Sequence, residues 1–323
     1  MKSILTLSLV LLGSCLVAPN AAAEYTWEKE DGKHLDLLYK TRLVARYMFE
    51  PIDESSKERR DETYKPYCHI YKWWSKDHFI TKGPGGKFPH HRGIYYGFSK
   101  ISYTDAEGKK HSNVDTWHCR MAHQVHREFS AMEANEESAS FTSVIDWIGN
   151  DGKAFATEAR TMRFSVVDSD VVVDFNSILT PLVPTMKVDG DPQHAGFQFR
   201  AANEVSELGT KSTYYLRPES GKGNPGATIN WSAKNDTEAT RDLLWKGMCF
   251  TLEDKQYTVA YLDSPANPKP ARYSERDYAR FGSYFAADVS KEKPLEVNYR
   301  LVIREGEMEP EEIAALSDAF TKE

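Results

Sequence analysis

Histidine is where this chain concentrates groups able to do chemistry. Of its ten histidines, His69, His78, His90, His91, His118, His123 and His126 fall between Cys68 and Arg127, with His111 in the same span inside a polar turn. The densest piece is Lys82-Gly83-Pro84-Gly85-Gly86-Lys87-Phe88-Pro89-His90-His91-Arg92-Gly93. Its glycines and prolines make a loop that runs into a strand at Ile94 and so presents two imidazoles and a guanidinium at a sheet rim. Imidazole carries protons near neutral pH or ligates a metal, and arginine holds a carboxylate or a developing oxyanion by a bidentate contact. His90, His91 and Arg92 are therefore candidate catalytic residues, against the plainer alternative that the two rings only bond the loop backbone.

Other candidates lie farther along. Trp73-Trp74 precede Asp77-His78, and Trp117 precedes His118. In an extended segment Thr116, His118 and Arg120 would share one face, which would set His118 beside Arg120 in a cleft. His123 and His126, three apart, fall on opposite faces of a strand and make a poor joint metal site. His194 follows the turn Asp189-Gly190-Asp191-Pro192 and leads a strand that ends in Arg200, so it is placed to reach the first group. His118, His194 and Arg200 join the catalytic candidates. Trp74, His78, Trp117 and Glu158 are candidate substrate contacts, though Glu158 shares a strand face with Arg160 and a plain salt bridge competes. No nucleophile elbow, Walker loop, HExxH or dinucleotide fingerprint is present, so no nucleotide cofactor is expected. A divalent metal is allowed, because histidine ligands can converge from distant strands.

What must position these groups is a set of strands. Short β-branched and aromatic stretches recur at Ile94 to Tyr103, Ser140 to Trp147, Val171 to Leu179, Thr228 to Ala233, Leu243 to Leu252, Tyr257 to Leu262 and Leu295 to Ile303. Several alternate polar and apolar residues, as a half-buried strand requires. Turn chemistry separates them at Asp105 to Gly108, Asn150-Asp151-Gly152, Asp189-Gly190 and Gly221 to Gly226. One helix is predicted at the C-terminus, where Glu309-Pro310-Glu311-Glu312 precedes Ile313, Leu316 and Phe320 at helical spacing. The pattern predicts an all-β fold, a large antiparallel two-sheet sandwich with a short C-terminal helix, in one domain over 24–323. Pro51 to Lys65 and Leu262 to Tyr284 read as long loops.

Composition narrows the function. The 323 residues are 40% hydrophobic and 28% charged, with a formal charge of −7. No basic stretch marks a nucleic-acid partner. Met1-Lys2-Ser3, the apolar run Ile4 to Val17 and Ala21-Ala22-Ala23 have the layout of a signal peptide over 1–23, so the protein is expected to be exported, to the periplasm or beyond. Leu12-Gly13-Ser14-Cys15 offers an alternative, a lipoprotein site with Cys15 acylated. No other apolar run is long enough to span a bilayer. Cys68, Cys119 and Cys249 form no CxxC unit and allow at most one disulfide.

The sequence also resembles the PmoA-like family of exported bacterial proteins, abundant in planctomycetes and often labelled methane oxygenase. The resemblance is carried by Pro89-His90-His91-Arg92-Gly93, Val114 to His118, Glu158-Ala159-Arg160, His194 to Arg200, Leu262 to Pro268, and Tyr299-Arg300-Leu301 with Gly306. It implies a secreted sandwich of galactose-mutarotase-like outline in bacteria that degrade polysaccharides, and it assigns no catalytic residue. Membrane methane oxidation does not suit a chain without a spanning segment. The expectation is a secreted carbohydrate-active lyase, epimerase or hydrolase using histidine acid/base chemistry on a glycan or modified sugar. A non-catalytic sugar-binding or surface module is one alternative. A metal-dependent oxidase with His90, His91, His118 and His194 as ligands is another.

Overall fold

A computed structural model describes residues 24–72, 78–208 and 210–323. Residues 1–23, read above as a signal peptide, and Trp74 lie outside them. The expected sandwich is present. An eight-stranded sheet runs from an edge strand at Tyr25–Glu30 through Tyr67–Ile70, Ile94–Phe98, Ala195–Arg200 and Arg280–Tyr284 to Arg272–Arg276. A nine-stranded sheet contains Trp245–Leu252, Lys255–Asp263, Leu295–Glu305, Asp170–Pro181, Ala154–Val167, Ala139–Ile148 and His123–Ala134 in that order. Every strand pair in both is antiparallel. The alternation in Ala139–Ile148 turns Phe141, Ile145 and Trp147 inward, and that in Ala195–Arg200 does the same for Phe197 and Phe199. These faces share one core, in which Phe197 stacks on Tyr299 at 4.8 Å and lies 4.4 Å from Phe175. Burial of this much aromatic surface is the main force holding the sheets together.

The C-terminal helix spans Pro310–Phe320, begins with a Glu309–Glu312 capping box, and seats Ile313 against Gly247. Among the described residues no helix is long and apolar enough to cross a membrane. Cys68, Cys119 and Cys249 are buried free thiols.

Four segments depart from expectation. Ile94 to Tyr103 is two strands, Ile94–Phe98 and Lys100–Thr104, in different sheets. Thr228 to Ala233 forms no strand; only an isolated Ser232–Asn235 bridge closes it. Pro51 to Lys65 contains a helix, Lys57–Thr63, whose start is capped by the Ser56 side chain accepting from the Arg59 N–H. Leu262 to Tyr284 is largely a hairpin, Arg272–Arg276 with Arg280–Tyr284, whose buried Tyr273 and Phe281 complete the edge of the eight-stranded sheet.

Candidate functional site

The site lies on the face of the eight-stranded sheet that points away from the core. Where Ile94, Phe197 and Phe281 turn inward, Tyr95, Gln198 and Arg280 turn outward. Two close-packed turns lie against this region. Residues 115–118 are not a strand but a turn, in which Asp115 accepts from the N–H groups of Trp117 and His118 at 2.9 and 2.8 Å. The turn is laid on the sheet by the Thr116 N–H donating to Phe98 (3.0 Å) and by the Tyr95 hydroxyl donating to the Thr116 carbonyl. It can approach this closely because Gly97 has no side chain; a Cβ there would sit 3.1 Å from the Thr116 oxygen. The second turn, Asp191 to His194, is held by Arg280 donating to the Gln193 carbonyl at 2.9 Å and by Ser274 donating to Pro192 at its other end.

The His90-His91 loop closes over the same area. Phe88 adopts φ 60°, and the His91 N–H donates back to its carbonyl at 3.0 Å. Lys65, buried, donates to the carbonyls of His90 at 2.8 Å and Trp117 at 2.5 Å, tying this loop to the first turn. The outcome is a cluster from three separate segments. Ring centroids are 4.5 Å apart for His90 and His118, 4.8 Å for His118 and His194, and 5.7 Å for His90 and His194. His91 stands 4.4 Å from His90.

Carboxylates orient two of these rings. His118 Nδ1 is 2.8 Å from Asp115, and His194 Nδ1 is 3.1 Å from both oxygens of Asp191. Burial works against the Asp191 charge, but the bonds from His194 and from the Gln193 N–H outweigh it and hold the carboxyl down at about 2. The same balance lowers Asp115. His90 and His91 have no such partner. Burial, and then the positive charges around them, push both well below the ordinary imidazole range, so each is neutral at pH 7. Nε2 of His90 and Nδ1 of His91 are buried without a hydrogen bond.

Apart from Asp115 and Asp191, which bond imidazoles, the charged side chains packed near the cluster are positive. Lys65, Lys82, Arg92, Arg200 and Arg280 are each at most 2% exposed. Their hydrogen bonds go chiefly to backbone carbonyls, and among the described residues none of the five forms an ion pair with a carboxylate. Burial presses Lys65 and Lys82 down to about 7. Nε and one terminal nitrogen of Arg200, and Nε of Arg280, are buried and unbonded. Unpaired buried charge is costly, and the lowered Lys65 and Lys82 show part of that cost relieved by loss of charge.

A family model described as a family of unknown function (DUF6807) matches residues 34–318. The chain belongs to that family. No curated protein sequence matches this DUF6807 chain. Among solved structures it is similar to a GH36 α-galactosidase from Geobacillus stearothermophilus, at 10% identity, TM-score 0.44, covering 88% of this chain and 41% of that one. It is also similar to a galactose mutarotase related enzyme from Lactobacillus acidophilus, at 8% identity, TM-score 0.37, covering 88% and 99%. A third is a GalM/aldose epimerase homologue from C. elegans, at 8% identity, TM-score 0.31, covering 88% and 100%. The DUF6807 chain thus spans less than half the length of the α-galactosidase. Likenesses at these scores carry no argument about activity.

Of the residues singled out in the sequence, the DUF6807 fold brings His90, His91, His118 and His194 together and sets Arg200 beside Tyr278, 4.7 Å from its ring. Four others do not take the roles expected of them. Arg92 turns its guanidinium to the carbonyls of Pro89, His91 and Asp61 and so anchors the loop. Trp117 is 2% exposed and packs on Tyr95, so it offers no face to a sugar. Glu158 is fully buried between the sheets, bonded to Arg160, Trp147 and Ser177. His78 lies in a different surface hollow with Glu253 and Asn203. Arg120 is exposed and makes no pair with His118, because the segment is a turn. The sequence reading missed Asp115, Asp191, Lys65, Tyr278 and Arg280. A signal for the first two was present: Asp115-x-x-His118 and Asp191-x-x-His194 repeat one spacing.

A cavity of about 670 Å³ lies elsewhere, lined by Tyr103, His111, Met186 and Lys187 over a small four-stranded sheet. Its His111 is paired with Asp105 at 2.8 Å and stacked on Tyr103, which suits a locked turn.

Proposed function

We propose that this chain is an exported enzyme that acts on an anionic sugar, removing the proton next to its carboxylate. The observation that carries the reading is the pair of buried guanidiniums, Arg200 and Arg280, without a carboxylate partner among the described residues, beside a convergent set of imidazoles. Arg200 and Arg280 would take the carboxylate, since a guanidinium matches its two oxygens. His91 would take the proton. It is neutral, and after burial the largest influence on it is the charge of Arg280, which a bound carboxylate cancels; substrate binding therefore makes His91 more basic. The electron pair left on carbon spreads into the carboxylate, where the same guanidiniums stabilise it. Return of the proton to the other face gives an epimer. Loss of a neighbouring C–O bond, with a proton going to the departing oxygen, gives an unsaturated sugar.

The sugar part of the proposal rests on the family resemblance seen in the sequence. The test is a screen of the mature protein against uronic-acid glycans, neutral glycans and simple hydroxycarboxylates, followed by ultraviolet absorbance for elimination and by solvent deuterium uptake for epimerisation. Turnover of uronates that His91→Ala abolishes is the expected result. Turnover of neutral glycans alone, or equal rates in wild type and His91→Ala, would overturn it.

A further inference from the structure

The three rings His90, His118 and His194 have a geometry that proton transfer alone does not require. One nitrogen from each lies within 4.8 Å of the others. Nδ1 of His118 and of His194 is taken by a carboxylate, which leaves Nε2 of each as the free ring nitrogen. Nε2 of His90 is buried and bonded to nothing. Histidines that bind metal commonly give their other nitrogen to a carboxylate, which fixes the tautomer and aims the ring. Here that device occurs twice, at the same i,i+3 spacing, in two turns with no sequence relation to each other.

We infer that His90, His118 and His194 form a binding site for one divalent transition-metal ion, with Asp115 and Asp191 as positioning residues behind two of the three ligands. Donors that are all imidazole favour zinc, cobalt, nickel, copper or iron over calcium and magnesium, which prefer oxygen. Ligand nitrogens about 2.0–2.1 Å from one ion lie roughly 3.3 Å apart in a tetrahedral centre, so small ring rotations close the set. Three protein ligands leave a position open, as in catalytic rather than structural sites. Asp115 and Asp191 also supply the negative charge that lets a cation sit near Lys65 and Arg280. The assignment deepens the proposed function, because a metal ion beside two guanidiniums would hold an anionic sugar at two points. It does not depend on turnover.

The experiment strips the full mature protein with a chelator and titrates it with zinc by calorimetry and with cobalt by visible absorption. Wild type should take up one ion per chain, with the cobalt band of a nitrogen-ligated centre. His118→Ala and His194→Gln should abolish uptake. Asp115→Asn and Asp191→Asn should weaken it about 10- to 100-fold at unchanged stoichiometry. His111→Ala, which alters the other group of potential ligands with Asp105 and Asp151, should bind as wild type. Circular dichroism melts identify any variant that fails to fold, and the two asparagine variants, which keep the size and shape of the side chain, keep the test decisive in that event. Absence of stoichiometric uptake by folded wild type would overturn the site, as would uptake that survives both histidine substitutions or disappears in His111→Ala. Uronate turnover by wild type that takes up no metal would remove the metal site and leave the proposed function standing; stoichiometric uptake without turnover on any substrate would do the reverse.

Discussion

Arg200 bonds the carbonyls of Ala201 and Tyr278 through one nitrogen while the rest of its guanidinium is buried unbonded. A group held in that state costs stability and is worth keeping only for what it binds. Arg200→Met should therefore melt no lower than wild type without ligand, and should weaken binding of a uronate by tenfold or more; thermal melts with and without glucuronate measure both. Glu158 is the opposite case. It satisfies Arg160 through two bonds in the core, so Glu158→Ala strands a buried guanidinium and should cost about 3–5 kcal/mol in urea unfolding. In the sequence these two residues look alike, each a charged group in an alternating strand. Glu158 is spent internally because Arg160 stands two residues away on the same face of its strand, whereas Arg200 has no carboxylate so placed.

The turns and strands decide where the imidazoles meet. Alternation in Val171 to Leu179 and Leu295 to Ile303, and proline with acids at Glu309 to Glu312, were enough to read the sheets and the final helix. The hairpin at Arg272–Arg276 and Arg280–Tyr284 was hidden because two of its charged residues are buried, Arg280 under the site and Glu275 against Arg217 and Lys246, which breaks the usual code. His118 was misplaced for a related reason. Asp115 bonds the backbone locally and turns a stretch of strand-like composition into a tight turn. That turn depends on Gly97, where a side chain would strike the Tyr95 hydroxyl and crowd Thr116. Gly97→Val should lift the turn, keep the two-sheet circular dichroism spectrum, and lower cobalt affinity at least tenfold. Gly196, paired with Gly97, is more restrictive: its φ is +78° and a Cβ would lie 2.0 Å from the Ser283 carbonyl. Gly196→Ala should sharply reduce soluble yield, read by fractionation after expression.

Across the molecule, buried neutral histidines link stability to pH. His69 is stacked on Phe79 at 3.8 Å and bonded to Thr81, and burial lowers it to about 3. His126 packs between Phe49 and Phe129, and burial, with a smaller push from Lys29, lowers it to about 4. In the unfolded chain both regain a value near 6.5. Above that pH neither state is protonated and they cause no slope. As pH falls through 6.5 the unfolded state takes up protons that the fold refuses, so stability drops until the folded values are reached. The melting temperature should fall steadily from pH 6.5 to 4, and the slope should be shallower in His126→Phe.

Cys68, Cys119 and Cys249 are enclosed, and burial raises each thiol above its ordinary value. Thiolate is the nucleophile that attacks oxidants and disulfides, so these sulfurs are withdrawn from such reactions for as long as the sheets stay closed. Residues 24–323 can therefore reach their final shape without a cross-linking catalyst, in reducing or oxidising surroundings alike, and that segment produced in an ordinary bacterial cytosol should fold as it does when produced through a secretory route.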